Sequence, residues 1–177
     1  MTVNAVLDYR KRILQKAKVN ILPNQSVLDV GCGDGGDCEL FSKTASNVIG
    51  IDILSHPSWS KIKKDNLEFQ VADACNLPFI NNIFDVVFVK DVLHHVPNHK
   101  KALHEVIRVT KEGGIIIVIE ANRFNPIFYL HMTLMLGHQH FKKKYFKKLI
   151  ESYSNDATFI STESHVYPIK NKLEFQL

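Results

Sequence analysis

Apolar positions near the start of the chain fall at helical spacing. Val6, Leu7, Ile13, Leu14 and Ala17, with Arg10 on the same stripe, predict an amphipathic helix over about residues 3 to 18, ending before Pro23. The period then shortens: Ser26 to Val30 is a compact apolar run closed by Gly31, and beyond the glycines Glu39, Leu40, Phe41 and Lys43 suit a helix. The same order recurs, with strands predicted at Asn47 to Ile51, Leu67 to Val71, Phe84 to Val89 and Ile115 to Ile119, and helices at Lys61 to Asp65 and His99 to Thr110. Val86 to Val89 and Ile115 to Ile119 are apolar at every position, which implies burial on both faces, as in a parallel sheet covered by helices. The pattern predicts an α/β fold: a doubly wound, mostly parallel sheet with helices on both faces.

Past Glu120 the pattern changes. Pro126 precedes ten largely apolar residues, Ile127 to Leu136, which are interrupted at Gly137 and followed by the basic and aromatic segment Phe141 to Leu149. Ten residues are too few to span a bilayer as a helix, so this stretch is buried or interfacial. Thr158 to Tyr167 and Lys172 to Leu177 alternate weakly, as strands would. At 177 residues and 45% hydrophobic content the chain builds one substantial core, so we expect a single domain over residues 1–177: an entry helix (1–20), a core (21–120) and a lid with the C-terminal segment (121–177).

The formal charge is only +4, yet the basic residues cluster at Arg10, Lys11, Arg12, Lys16 and Lys18 and again at Lys142, Lys143, Lys144, Lys147 and Lys148. Such runs are commonly solvated helix faces, and they can also meet phosphate or anionic lipid. Cys32, Cys38 and Cys75 form no C-x-x-C pair, and their odd number argues against a disulfide framework and for a reducing, cytoplasmic setting. Met1 to Lys18 lacks the apolar core of a secretory signal.

The densest chemical signal is Val27-Leu28-Asp29-Val30-Gly31-Cys32-Gly33-Asp34-Gly35-Gly36, where a strand turns into a helix. Glycine there lets the backbone turn tightly and lets a ligand approach the main chain. Gly31, Gly33 and Gly36 also satisfy the dinucleotide spacing G-x-G-x-x-G, so spacing alone does not choose between cofactors. Asp52 lies about twenty residues on, at the end of the second strand, where a carboxylate can accept hydrogen bonds from both hydroxyls of a ribose. Asp29 precedes the glycines, and Asp73 ends the third strand in Val71-Ala72-Asp73-Ala74, ahead of Leu77-Pro78-Phe79.

With Ile49-Gly50-Ile51-Asp52, Phe84-Asp85-Val86-Val87 leading to Val92-Leu93-His94-His95-Val96, and Glu105-Val106-Ile107-Arg108-Val109 before Lys111-Glu112-Gly113-Gly114, these segments stand in a set order. In that order the chain, over about residues 20 to 120, resembles the class I S-adenosylmethionine-dependent methyltransferases, in the branch that includes the ubiquinone/menaquinone-type and other small-molecule enzymes. The resemblance implies a Rossmann-like sheet and transfer of a methyl group from S-adenosylmethionine to a small or lipid-like acceptor, leaving S-adenosylhomocysteine. It implies that Asp29, Gly31, Cys32 and Gly33 surround the methionine portion, that Asp52 holds the ribose, and that Ile53 packs on the adenine. Asp73 and the Ala74 backbone would read the adenine amino edge. The loop from Lys90 to His95 would border the sulfonium, with Lys90 on the cofactor side and His94 or His95 placed to take a proton from the acceptor.

Nine histidines raise the question of a metal, but neither His138-Gln139-His140 nor the group His94, His95, His99 and His104 has the spacing of a zinc site, and none is expected. Trp59, Tyr9 and Tyr129 read as packing residues, with Tyr9 also placed to close over a cofactor. Asn125-Pro126-Ile127-Phe128 lacks the second proline of the base-modifying enzymes and follows the fifth strand, so a nucleic-acid acceptor is not favoured. Membrane contact is expected to be peripheral at most, and a homodimer is compatible with the chain. Relatives of this type complete the sheet with two final strands for which this chain offers only weak candidates, so an incomplete C-terminal end is expected. Two other readings compete: a nicotinamide- or flavin-dependent oxidoreductase, and a non-catalytic protein that keeps the cofactor fold.

Overall fold

The computed structural model describes residues 3–120, 141–154 and 156–159, the first four of these in backbone only. It divides into two compact units, Val19–Glu120 and Met1–Lys18 with Ala121–Leu177. The apolar run Ile127 to Leu136, the tail beyond Phe159, Tyr129 and the segment Asn125-Pro126-Ile127-Phe128 lie outside the described residues.

The first unit is an open sheet of five strands: β1 (Ser26–Val30), β2 (Asn47–Asp52), β3 (Leu67–Val71), β4 (Phe84–Lys90) and β5 (Thr110–Ile119). Their order is β3-β2-β1-β4-β5, and every pairing is parallel. The chain winds outward from β1 through β2 to β3, then crosses back to lay β4 on the other side of β1. That reversal opens a crevice at the carboxyl ends of β1 and β4, where doubly wound sheets hold ligands. Helices α2 (Gly36–Phe41) and α3 (His99–Val109) belong to this unit; α1 (Val3–Lys16) and α4 (Lys143–Glu151) belong to the other.

The centre of the sheet is dry. Val27, Leu28, Val86, Val87, Phe88 and Val89 are all fully buried, and each such side chain contributes about 1.5 to 3 kcal/mol relative to exposure. Phe41 of α2 meets the Phe88 ring edge-on at 5.1 Å. Gly50 is required by this packing, because a Cβ there would sit 2.7 Å from the Cys38 sulfur and 2.9 Å from the Phe69 ring.

The structure corrects two expectations. Lys61 to Asp65 is not a helix: a single 3₁₀ turn spans Trp59–Lys61, and Ile62 is already extended. Without apolar periodicity the segment has no face to bury, so only the local turn forms. Nor is the run Ile115 to Ile119 buried on both faces, since Ile115 and Ile116 remain 47% and 36% exposed. Among the described residues β5 pairs with β4 alone, and an edge strand lacks the neighbour that would complete its cover.

Two polar clusters tie the connections to the sheet. Asp85 of β4 accepts from the Ser26 backbone N–H at 2.8 Å, the Ser26 hydroxyl at 2.7 Å and the Lys111 ammonium at 2.8 Å, joining three strands. On α3, Glu105 accepts from the Leu77 N–H, while Arg108 donates to the carbonyls of Leu77 and Phe79 and to Glu105. The turn Leu77-Pro78-Phe79 is thus held by α3, whose Arg108 lies 31 residues beyond Leu77.

The hydrogen bond from Lys111, followed by that from the Ser26 backbone, lowers the Asp85 carboxyl to about 2. Because the folded carboxyl titrates below its ordinary value of 3.8, its contribution to stability is complete above that value and is lost as the pH falls through about 2. Asp85→Asn should therefore flatten the acid limb of the unfolding profile between about pH 4 and 2. Chemical denaturation of both proteins across that range checks it, and parallel curves would contradict it.

Candidate active site

The glycine turn after β1 is built by backbone geometry. Gly31, Gly33 and Gly35 have φ of +74°, +54° and +81°, the left-handed region that side chains other than glycine rarely adopt. The N–H groups of Gly31 and Cys32 both donate to the Ile51 carbonyl, at 2.8 and 2.9 Å, which ties the turn to the tip of β2. A Cβ on Gly31 would lie 2.1 Å from Cγ2 of Val92, so the loops after β1 and β4 pack directly against each other at the crevice. At Gly33 an added Cβ would meet nothing, and the residue is exposed: the turn presents bare backbone there.

Asp52 closes this turn from β2. Its Oδ2 accepts from the Gly33 N–H at 2.9 Å, and the residue is half-buried. Next to it Ile53 is 62% exposed, an aliphatic face left uncovered by the protein. At the tip of β3, Asp73 is exposed and folds back on its own turn, its Oδ1 accepting from the Cys75 N–H at 2.8 Å, with Ala74 half-buried between them. Trp59 has more than a packing role: its ring stacks on Phe69 at 5.0 Å, and its indole N–H donates to the Gly33 carbonyl at 2.8 Å. The 3₁₀ turn therefore props the glycine turn from behind.

Asp29 and Cys32 stand differently. Asp29 is 2% exposed and accepts from the Cys38 thiol at 3.1 Å, so it organises the underside of the turn. Cys32 is also buried, its sulfur facing Gly50 beside that of Cys38. Burial, then the Cys32 sulfur and the Asp29 charge, hold the Cys38 thiol well above its ordinary range. It stays protonated and serves as packing. Lys90, at the end of β4, is ion-paired with Asp37 in the first turn of α2, so its charge is met by the helix that follows the glycines.

The histidine pair separates into two environments. His95 is exposed, whereas the His94 side chain is only 3% exposed and lies 2.5 Å through Nδ1 from Oε2 of Glu120, itself 2% exposed. The other carboxylate oxygen, Oε1, accepts from the Leu93 N–H at 2.7 Å, and the Asp91 N–H donates to the Ile119 carbonyl at 2.8 Å. The end of β5 thereby stitches down the whole loop after β4. Facing a carboxylate, the neutral form of His94 carries its proton on Nδ1 and leaves Nε2 as the acceptor. The two imidazoles lie 4.0 Å apart between centroids.

Sequence reasoning missed Glu120. The available signal was a carboxylate directly after an apolar strand whose neighbour in the sheet ends in histidines. The structure brings Gly31, Gly33, Asp52 and Ile53 together around the turn, and places Asp73 and Ala74 at the tip of the adjoining strand. It assigns Asp29 and Cys32 to the layer beneath.

All of these residues except Glu120 fall within a recognised pattern. The sequence profile of the family described as "Methyltransferase domain" matches residues 28–118. A demethylmenaquinone methyltransferase of Renibacterium salmoninarum is 38% identical over 63% of this chain and 47% of its own length. Another from Staphylococcus saprophyticus is 29% identical over 94% of this chain and 72% of its own. The chain spans about half the length of the first of these relatives. Among solved structures, the YcgJ protein of Bacillus subtilis superposes with a TM-score of 0.67 at 22% identity, covering 81% of this chain and 67% of that one, which shows the shared fold.

Proposed function

This chain belongs to the methyltransferase domain family, and from that premise we propose that it binds S-adenosylmethionine in the crevice between β1 and β4 and transfers its methyl group to a small or lipid-like acceptor. The observation that carries the reading is the closure of the glycine turn by Asp52, at the strand-order reversal and inside the matched residues. The donor set fits such a ligand: bare backbone at Gly33 for the methionine portion, an anionic acceptor at Asp52 for ribose hydroxyls, the exposed Ile53 for a purine face, and Asp73 with Ala74 for its amino edge. Gly31 and Cys32 shape the turn, Asp29 holds it from below, and Lys90 anchors α2 behind it.

When bound, the sulfonium supplies a carbon already activated for in-line displacement. The protein's task is then alignment and exclusion of water, with a base only where the acceptor must lose a proton. The loop from Lys90 to His95 serves the acceptor side, and in this reading His94, held in one tautomer by Glu120, or the exposed His95 takes that proton. The names of the relatives support a quinone-type aromatic acceptor. A reducing, cytoplasmic setting belongs to the same reading and is supported by three buried free thiols. Among the described residues no helix is long and apolar enough to cross a membrane.

Calorimetric titration separates this reading from its rival. We expect S-adenosylmethionine and S-adenosylhomocysteine to bind with one-to-one stoichiometry, and nicotinamide dinucleotides to give no comparable heat. Preferential binding of a nicotinamide or flavin dinucleotide would replace the proposal with an oxidoreductase.

A further inference from the structure

The second unit carries a feature that the cofactor crevice does not use. Of the chain's 22 basic and 18 acidic residues, the segment from Phe141 to Glu151 holds five lysines and one glutamate; setting them aside leaves 17 of each sign, so all of the formal +4 resides in that segment. On α4 the charge is sorted by face. Lys143 with Lys147, and Lys144 with Lys148, repeat at four-residue spacing along one side, and all four are exposed, as is Lys142 before them. Tyr145, Phe146, Leu149 and Ile150 repeat along the other side, where Leu149 is buried and Phe146 and Ile150 are half-buried. The apolar side is thus largely spent on packing, and the lysine side faces solvent.

Aromatic rings border the lysine side. Tyr145 is 44% exposed beside it, its ring 5.8 Å from that of Phe141, and Phe159, 40% exposed, lies under the Lys147 ammonium at 5.3 Å. Glu151, the acidic residue of α4, reaches Lys147 at 3.6 Å with both side chains about half exposed, so this pairing is weak.

We propose that the lysine face of α4 docks on the surface of an anionic phospholipid bilayer, with Tyr145 and Phe159 seated among the headgroups. Lysines are compact point charges suited to a diffuse anionic surface, whereas paired recognition of nucleic-acid phosphates favours arginine, and this face has none. Half-exposed aromatics beside cationic side chains match the boundary between water and acyl chains. The inference deepens the functional reading and rests on it for its purpose: a lipid-like acceptor is dissolved in the bilayer, so the enzyme must reach that surface. The attraction falls off within a Debye length and is therefore sensitive to salt.

Co-sedimentation with vesicles tests it, using the full chain. Vesicles of phosphatidylcholine mixed with phosphatidylglycerol should pellet the protein at low salt. Pure phosphatidylcholine, or the mixed vesicles at high salt, should not. Each lysine near such a surface is worth about fivefold in partitioning, so the triple variant Lys144→Gln, Lys147→Gln, Lys148→Gln should bind about 100-fold more weakly. Tyr145→Ala should weaken binding further without changing its salt dependence. Unchanged binding of the triple variant, equal binding to neutral vesicles, or tighter binding to a short DNA duplex than to anionic vesicles would overturn the proposal. S-adenosylmethionine titration of the same samples keeps the two readings apart: vesicle binding without cofactor binding sinks the enzymatic reading alone, and the reverse sinks only the membrane surface.

Discussion

Asp52→Ala should lower the affinity for S-adenosylmethionine by about 10- to 100-fold, the worth of hydrogen bonds to a charged acceptor. Two effects add in that loss. The variant removes the anionic partner of the ribose hydroxyls, and it also releases the Gly33 N–H that Oδ2 holds at 2.9 Å, so the turn is no longer fixed before the ligand arrives. Asp52→Asn separates them. Its amide oxygen can still accept from Gly33, while the charge and one acceptor are gone, so we expect a loss of about tenfold. Calorimetry on the three proteins gives the affinities, and thermal melts without ligand report what the turn alone loses. Undiminished affinity in the alanine variant would show that the nucleoside does not meet β2.

Much of this site was legible because the features that build it are local. The run Ser26 to Val30 predicts a strand and the glycines after it predict a turn, and β1 occupies those residues, with left-handed backbone at Gly31, Gly33 and Gly35. Asp52 could be placed because its distance from the glycines is set by one helix and one strand. Periodicity fails where it must report on neighbours distant in sequence. Ile115 to Ile119 has the composition of a central strand, yet coverage depends on what pairs with its far edge, and Ile115 and Ile116 are exposed. The same blindness hid the burial of Asp29, whose contact with the Cys38 thiol joins β1 to the helix after the glycines. Trp59 was underestimated for the same reason, since its indole bond to the Gly33 carbonyl joins residues 26 positions apart.

Glu120→Ala should cost about 3 kcal/mol of stability, because it strands two buried donors, the Leu93 N–H and the His94 Nδ1–H, that now share one carboxylate. Glu120→Gln is the more informative change. Its amide oxygen can keep the bond from Leu93, but its NH₂ would then face Nδ1 as a donor, and imidazole can satisfy it only by moving its own proton to Nε2. Stability should fall by no more than about 1 kcal/mol while His94 changes tautomer, and its Nε2 turns from acceptor into donor. Nitrogen shifts of the labelled imidazole, measured alongside thermal unfolding, read both effects on one sample. If the glutamine variant keeps the original tautomer, or melts as early as the alanine variant, then the carboxylate does not set the histidine's proton. If it switches as expected with cofactor affinity intact, any loss of methyl transfer belongs to the acceptor side of the site, since Asp52 and the glycine turn lie at the ends of other strands.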